Sequence, residues 1–230
     1  VSTDASRAPR PTPRAEVRAL SSLPASPWRN GGGTTRQLAV AAADAGPGFS
    51  WRLSQAELIG DAEFSPFPGV GRVFTLLSAG PVRLAVDGES RTVPRGEPQR
   101  FSGETEVSVS LRAGTPEKAL NLMLARGLAR GDVQVIRGSG RLVLPADHLV
   151  AVVVIDGALV LRDGRTVNAL EAILPSPRAH SGTPSHGGPA PGGGLHDGLI
   201  QELDSARAGG AGSVTVAAVQ VFPGGAEAIG

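Results

Sequence analysis

Two arginines and a serine in strand-like surroundings carry the clearest chemistry in this sequence. In the segment Phe49-Ser50-Trp51-Arg52-Leu53-Ser54-Gln55-Ala56-Glu57-Leu58, an extended chain puts Arg52, Ser54, Ala56 and Leu58 on one face. A guanidinium offers a planar fork for two parallel N–H···O bonds, and a serine hydroxyl two residues away adds a third donor. Together they suit a carboxylate held inside a barrel. The competing reading is an exposed arginine on the wet face of a sheet. A second arginine, Arg72, follows Phe64-Ser65-Pro66-Phe67-Pro68-Gly69, where two aromatics sit on a proline-stiffened loop. That loop is either a ligand wall containing Phe67 or a corner that plugs the barrel end.

The run Trp28-Arg29-Asn30-Gly31-Gly32-Gly33 is the sharpest local feature. Consecutive glycines are entropically expensive to order, so a folded chain keeps them for positive φ or close backbone approach. Gly31, Gly32 and Gly33 could present successive N–H groups to an anion. The spacing is neither a phosphate loop nor a dinucleotide fingerprint, and a plain hairpin turn is the alternative.

Metal and thiol chemistry have little to draw on. The sequence contains no cysteine and four histidines, His148, His180, His186 and His196, three of them in a Gly/Pro-rich tract. A catalytic metal needs rigidly placed ligands, so neither a metal site, a cofactor nor a catalytic residue is expected. The 22 basic and 21 acidic residues nearly cancel, which gives no global field for nucleic acid. The longest strongly apolar run, 149–155, is too short to span a bilayer, and no signal-peptide core precedes it. A cytoplasmic protein with a small-molecule carboxylate as partner, and with neither nucleic acid nor membrane, is the resulting expectation. A homodimer is an open alternative to a monomer.

The elements that must position these groups are strands. A count of 32 Gly and 19 Pro favours turns over long helices. Strands are expected at 17–20, 35–41, 50–58, 72–77, 82–86, 107–112 and 120–124. A second block repeats the rhythm at 132–136, 141–144, 149–155, 158–161, 165–167, 172–174 and 213–222. Asp156-Gly157 and Asp163-Gly164 both read as hairpin signals. Residues 1–15 read as a disordered tail and 175–198 as a flexible insertion, and a helix is weighed at 200–208. The division is a first half over 16–126 and a second over 127–230.

These segments, taken in order, resemble the HutD/Ves family, whose pattern includes W-[KR]-N-G-G-G, F-x-W-R-[IL]-S-x-A, F-S-x-F-P-G and a following Arg. Phe101-Ser102-Gly103-Glu104 and Leu120-Asn121-Leu122-Met123 look like two further family segments. The resemblance covers roughly residues 17–126. It implies an all-β bicupin, two cupin-like barrels in one chain, without the usual metal ligands. It also implies an association with histidine utilisation, with a regulatory role in sensing N-formylglutamate or a related carboxylate, or with stress response. Three positions depart from the pattern where the family prefers acids: Gln37, Gly71 and Ala119. Loss of acids around a pocket would leave its arginines less paired.

The functional expectation is a binding module that does not turn its ligand over. Arg52, Ser54 and Arg72 would engage carboxylates, Asn30 and the Gly31–Gly33 amides a formyl or amide group, and Trp28 and Phe67 would form walls. A metal-independent isomerase or hydrolase and a protein-interaction module are the alternatives.

Overall fold

The computed structural model describes residues 15–44, 46–112, 115–145, 147–174, 207–208 and 212–224. Short β-branched segments closed by Gly, Pro or Asp favour strands, and strands dominate. Among the described residues the one helical element is a 3-10 turn at Leu20–Ser22. No helix there is long and apolar enough to cross a membrane.

In chain order the strands are β1 Glu16–Ala19, β2 Ala25–Pro27, β3 Gly33–Ala42, β4 Phe49–Leu58, β5 Ala62–Glu63 and β6 Val70–Leu76. Next come β7 Val82–Val86, β8 Glu89–Val93, β9 Pro98–Ser102, β10 Val107–Ser110, β11 Glu117–Ala125 and β12 Ala129–Gly138. The last are β13 Leu149–Asp156, β14 Ala158–Val160, β15 Thr166–Asn168, β16 Glu171–Leu174, β17 Arg207–Ala208 and β18 Val214–Pro223. They form sheets ordered β5-β10-β7-β8, β2-β3-β4-β11-β6-β9, β1-β16-β13-β18-β12 and β15-β14-β17.

Three apolar clusters join these sheets into four layers. Leu58, Phe74, Leu76 and Ala119 of the six-stranded sheet meet Val82, Leu84, Val107 and Val109 of the four-stranded one. Its opposite face packs Leu53, Val73 and Leu122 against Val133, Val153 and Val219 of the five-stranded sheet. That sheet's far side buries Val152, Val154 and Val216 against Leu159, Val167 and Ala208. A strand covered on both faces reads as a continuous apolar run, and β13 is buried at every residue but its last. Each fully buried Val or Leu contributes about 1.5–3 kcal/mol. Aliphatic side chains therefore hold the layers together with few aromatic anchors.

Several expectations change. β1 leaves the first block and pairs with β16 of the second. Ala15, assigned by sequence to the tail, is buried and its carbonyl accepts a bond from Arg165 Nη1 at 2.9 Å. Segment 141–144 holds a single bridge residue rather than a strand. Asp163-Gly164 does turn the β14–β15 hairpin. Asp156-Gly157 does not, because β13 and β14 pair with different partners and the chain there passes from one sheet to another. Residues 207 and 208 form β17, not a helix. Residues 200–206, the tail over 1–14 and the insertion at 175–198 lie outside the described residues.

The glycine run shows why sequence made it glycine. Gly31 has φ +71°, a Cβ on Gly32 would lie 2.6 Å from Ala62 Cβ, and one on Gly33 would lie 2.3 Å from Glu57 O. The turn thus fits tightly against β4 and β5. Gly33→Ala should force β3 off β4 and lower the unfolding free energy by about 1–3 kcal/mol. A urea titration followed by tryptophan fluorescence measures this; an unchanged midpoint would contradict the close approach.

Candidate functional site

Strand register builds the site. β11 lies between β4 and β6, so Met123 stands opposite Arg52 on one side and Arg72 on the other. One step along the same face, Asn121 stands between Ser54 and Phe74; the next step is Ala119 between Ala56 and Leu76. β9 extends the first row, with Phe101 opposite Arg72. Side chains two apart share a face, so polar groups collect at one end and the Ala119 row joins the core behind them. The result is a cavity of about 680 Å³, lined by Trp28, Asn30, Thr35, Arg52, Ser54, Glu63, Phe64, Ser65, Phe67, Arg72 and Asn121, among others.

Three arginines line this cavity, the exposed Arg29 together with Arg52 and Arg72, and none has a carboxylate at ion-pair distance among the described residues. Arg72 is only 8% exposed. Aromatic faces and weak acceptors surround it and Arg52 instead. The Arg52 guanidinium lies 5.2 Å from the Phe49 ring centre and 5.6 Å from that of Phe67. Arg72 lies 5.0 Å from Phe64, 5.2 Å from Phe101 and 5.7 Å from Phe67. Arg52 Nη2 donates to Met123 Sδ at 2.8 Å, and Arg72 Nη1 to Ser65 O at 3.4 Å. Both Nε groups are buried without a partner. Burial lowers the Arg52 pKa; burial, then the charge of Arg52, lowers that of Arg72 to about 10. Both remain charged at neutral pH. Each desolvated cation–π contact contributes about 2 kcal/mol or somewhat more, against several kcal/mol of hydration lost by a buried ion. The arrangement therefore stores unmet demand for an anion.

A clamp fixes the wall that carries Phe67. Phe67 N donates to Gly103 O at 2.7 Å, and Gly103 N to Val70 O at 2.6 Å. A Cβ on Gly103 would lie 2.1 Å from Phe67 O. Glu104 accepts Gly69 N at 2.7 Å and Arg126 Nη1 at 2.9 Å through Oε1, and Ser102 Oγ through Oε2. Hydrogen bonds from Arg126 first, then Ser102 and Gly69, hold the Glu104 pKa far below the usual carboxylate range. On the opposite wall Trp28 Nε1 donates to Thr35 Oγ1 at 2.8 Å. Its ring meets Phe64 edge-on at 6.2 Å.

Of the residues singled out by sequence, Trp28, Asn30, Arg52, Ser54, Phe67 and Arg72 line one cavity. Gly31, Gly32 and Gly33 are not among its lining residues. Gly31 N donates to Trp28 O and Gly32 N to Asn30 Oδ1, both at 3.1 Å, so these amides close a turn rather than cradle an anion. Asn30 is also engaged, its Nδ2 donating to Glu63 O at 3.2 Å. Phe64 and Phe67 form wall, not plug. Gln37, Gly71 and Ala119 are not lining residues either, although Gln37 stands opposite the lining residue Ser54. Sequence reasoning missed Asn121 and Met123 as site residues. The signal was a polar residue inside an apolar strand, on the same face as the sole methionine.

The layered antiparallel sheets and the cavity opening at one end define a cupin-like all-β protein. The chain aligns with a cupin 2 conserved barrel domain protein from Leptotrichia buccalis over 91% of its own length and 97% of that chain, at 12% identity and TM-score 0.52. It aligns with HutD from Pseudomonas fluorescens SBW25 over 92% and 100%, at 22% identity and TM-score 0.62. The HutD family model matches residues 20–180, and the chain belongs to that family. An uncharacterized 21.2 kDa protein in the hutC 3′ region of Pseudomonas putida is 34% identical over 148 residues, 64% of this chain and 77% of that one. Protein Ves of Citrobacter koseri is 38% identical over 117 residues, 50% of this chain. The match spans 61% of the Ves protein's length.

Two outcomes follow. The Glu104 carboxyl should titrate well below its ordinary pKa of about 4.3, so the Gly69 clamp persists above that range and is lost only at stronger acid. Arg126→Met should return the titration toward the ordinary value, read by NMR of the carboxyl carbon; an unmoved titration would remove Arg126 from the clamp. Arg72→Met keeps side-chain length and sulfur–aromatic contact while deleting a buried charge. It should be at least as stable as the parent, by up to about 4 kcal/mol, in urea unfolding. A clear loss of stability would mean that Arg72 is already fully compensated.

Proposed function

We propose that this chain binds a small carboxylate between Arg52 and Arg72 and releases it unchanged, as a regulatory module in histidine utilisation or stress response. The observation that carries this reading is the pair of desolvated guanidiniums lacking any carboxylate partner among the described residues. A ligand bearing two carboxylates, such as N-formylglutamate, matches two cations in charge. Its hydrocarbon stem suits the rings of Phe64, Phe67 and Trp28. Two or three charge-assisted hydrogen bonds at about 1.5–3 kcal/mol each approach the roughly 8 kcal/mol of micromolar affinity.

Binding without turnover fits the lining. Its single acid is Glu63, exposed, and neither histidine nor cysteine lines it. General acid–base work needs a proton-transferring group within hydrogen-bond reach of the ligand, and the Arg/Ser/aromatic surround offers anion binding instead. The four layers also support a bicupin reading, with the outer four-stranded and three-stranded sheets each closing one barrel onto a central sheet. A putative glyoxylate-induced protein of Pseudomonas aeruginosa matches over 96% of this chain at TM-score 0.57, which supports a common architecture across both blocks.

Isothermal titration of N-formylglutamate and glutarate into the purified chain tests the reading. Arg52→Ala should weaken both by at least about tenfold while the far-ultraviolet spectrum stays that of the parent. Equal affinities in parent and variant would remove Arg52 from the site, and no binding by the parent would end the carboxylate reading.

A further inference from the structure

The carboxylate reading leaves one group in the cavity unexplained. Asn121 lies one row from the two arginines, opposite Ser54 and Phe74, and lines the same cavity. Its Oδ1 is buried and has no hydrogen-bond partner. Ser54, a residue only 1% exposed, stands opposite it across the β4–β11 ladder. A buried acceptor left unmet costs about 1–3 kcal/mol. A carboxylate cannot relieve it, since an ionised carboxylate only accepts.

Resting on the carboxylate reading, we infer that Asn121 is a specificity-determining residue that selects diacids carrying a neutral hydrogen-bond donor beside the carboxylate. The ligand is a ready source of that donor: Arg52 Nη2 is aimed at Met123 and Arg72 Nη1 at Ser65, and neither the Ser54 hydroxyl nor any other described protein group bonds Asn121 Oδ1. The donor has to be neutral. An ammonium would enter a cavity already lined by three guanidiniums, Arg29, Arg52 and Arg72, and the only acid in the lining, Glu63, is exposed. Like charges brought together away from water repel strongly. Free amino acids are thereby disfavoured, while 2-hydroxy diacids and N-acylated amino diacids satisfy both demands. Their two carboxylates meet the two arginines, and their O–H or N–H meets Asn121 Oδ1. Rejection through an unpaired buried polar group discriminates more strongly than fit alone.

Matched series separate the alternatives: glutarate, 2-hydroxyglutarate, N-acetylglutamate and glutamate, with succinate, malate, N-acetylaspartate and aspartate as the shorter set. By calorimetry on the full chain, the hydroxy and N-acetyl diacids should bind at least about fivefold tighter than the bare diacid. The free amino acid should bind weakest. Asn121→Ala should erase that preference, bringing the ratio of the two affinities to about one. If that variant does not fold, Asn121→Val, whose branched side chain suits a strand, carries the same comparison. A parent chain that binds bare and donor-bearing diacids equally, or a variant that keeps the preference, would overturn the assignment while the carboxylate reading stands. If no diacid of either series binds, both fall together.

Discussion

Everything at this site depends on two guanidiniums, the buried Arg72 and the half-buried Arg52, that flank Met123 without a countercharge among the described residues. Sheet register imposes the arrangement: Met123 is flanked by Arg52 and Arg72 on adjacent strands, so the β4–β11–β6 ladder fixes the backbone from which both side chains project. Mutual repulsion and lost hydration both oppose the charged state, and both show in the lowered pKa of Arg72. Aromatic faces and a thioether offset part of this and accept little hydrogen bonding. Such a site destabilises the empty protein, and any anion that fits returns the difference as binding energy and as resistance to unfolding.

The remaining architecture serves to hold that arrangement still. Four layers of aliphatic packing fix the six-stranded sheet on both faces, so the arginine row projects from a strand core rather than from loops. Arg95 ties the two blocks further, its Nε donating to Leu77 O at 3.0 Å and its Nη1 lying 3.1 Å from Asp156. The aromatic wall is pinned twice: backbone bonds join Phe67 and Val70 to Gly103, and Glu104 grips the Gly69 amide while Arg126 grips Glu104. Three sequence segments, 67–70, 102–104 and Arg126, thus act as one clamp. Positioning of this kind matters more than the exposed ion pair's own contribution to stability, which is small for such pairs.

How much of this was legible in the sequence varied with the range of the interaction that decides each feature. The period-two pattern placed Arg52 and Ser54 on one face, since that geometry is local to a strand. β13 was equally plain, because a doubly covered strand is apolar throughout. β8 was missed: its residues Glu89 to Thr92 are exposed at a sheet edge and show no apolar alternation. Asp156-Gly157 misled, because a dipeptide favours a turn but does not choose which strands pair across it. The glycine run was ambiguous for the same reason. Whether its amides face an anion or close a turn is decided by Ala62 and Glu57, which approach from elsewhere in the fold. Asn121 was invisible as a site residue until cross-strand register set it beside Ser54.

Phe67 ties the arginine cavity to the neighbouring rim of the protein. Its ring lines the arginine cavity and also a second cavity of about 540 Å³, bounded by Pro66, Pro68, Ala125, Arg126 and Leu128 among others. The same ring faces both guanidiniums. A change in how strongly those cations are neutralised therefore changes the electrostatic hold on Phe67, and the Phe67 loop is the segment clamped by Glu104 and Arg126. Charge at the site and backbone position at the rim are in this way parts of one balance. Because the clamp is exposed while Arg72 is buried and Arg52 half-buried, the two sides of that balance differ in their response to salt: screening weakens the Glu104–Arg126 contact more than it weakens the field inside the cavity.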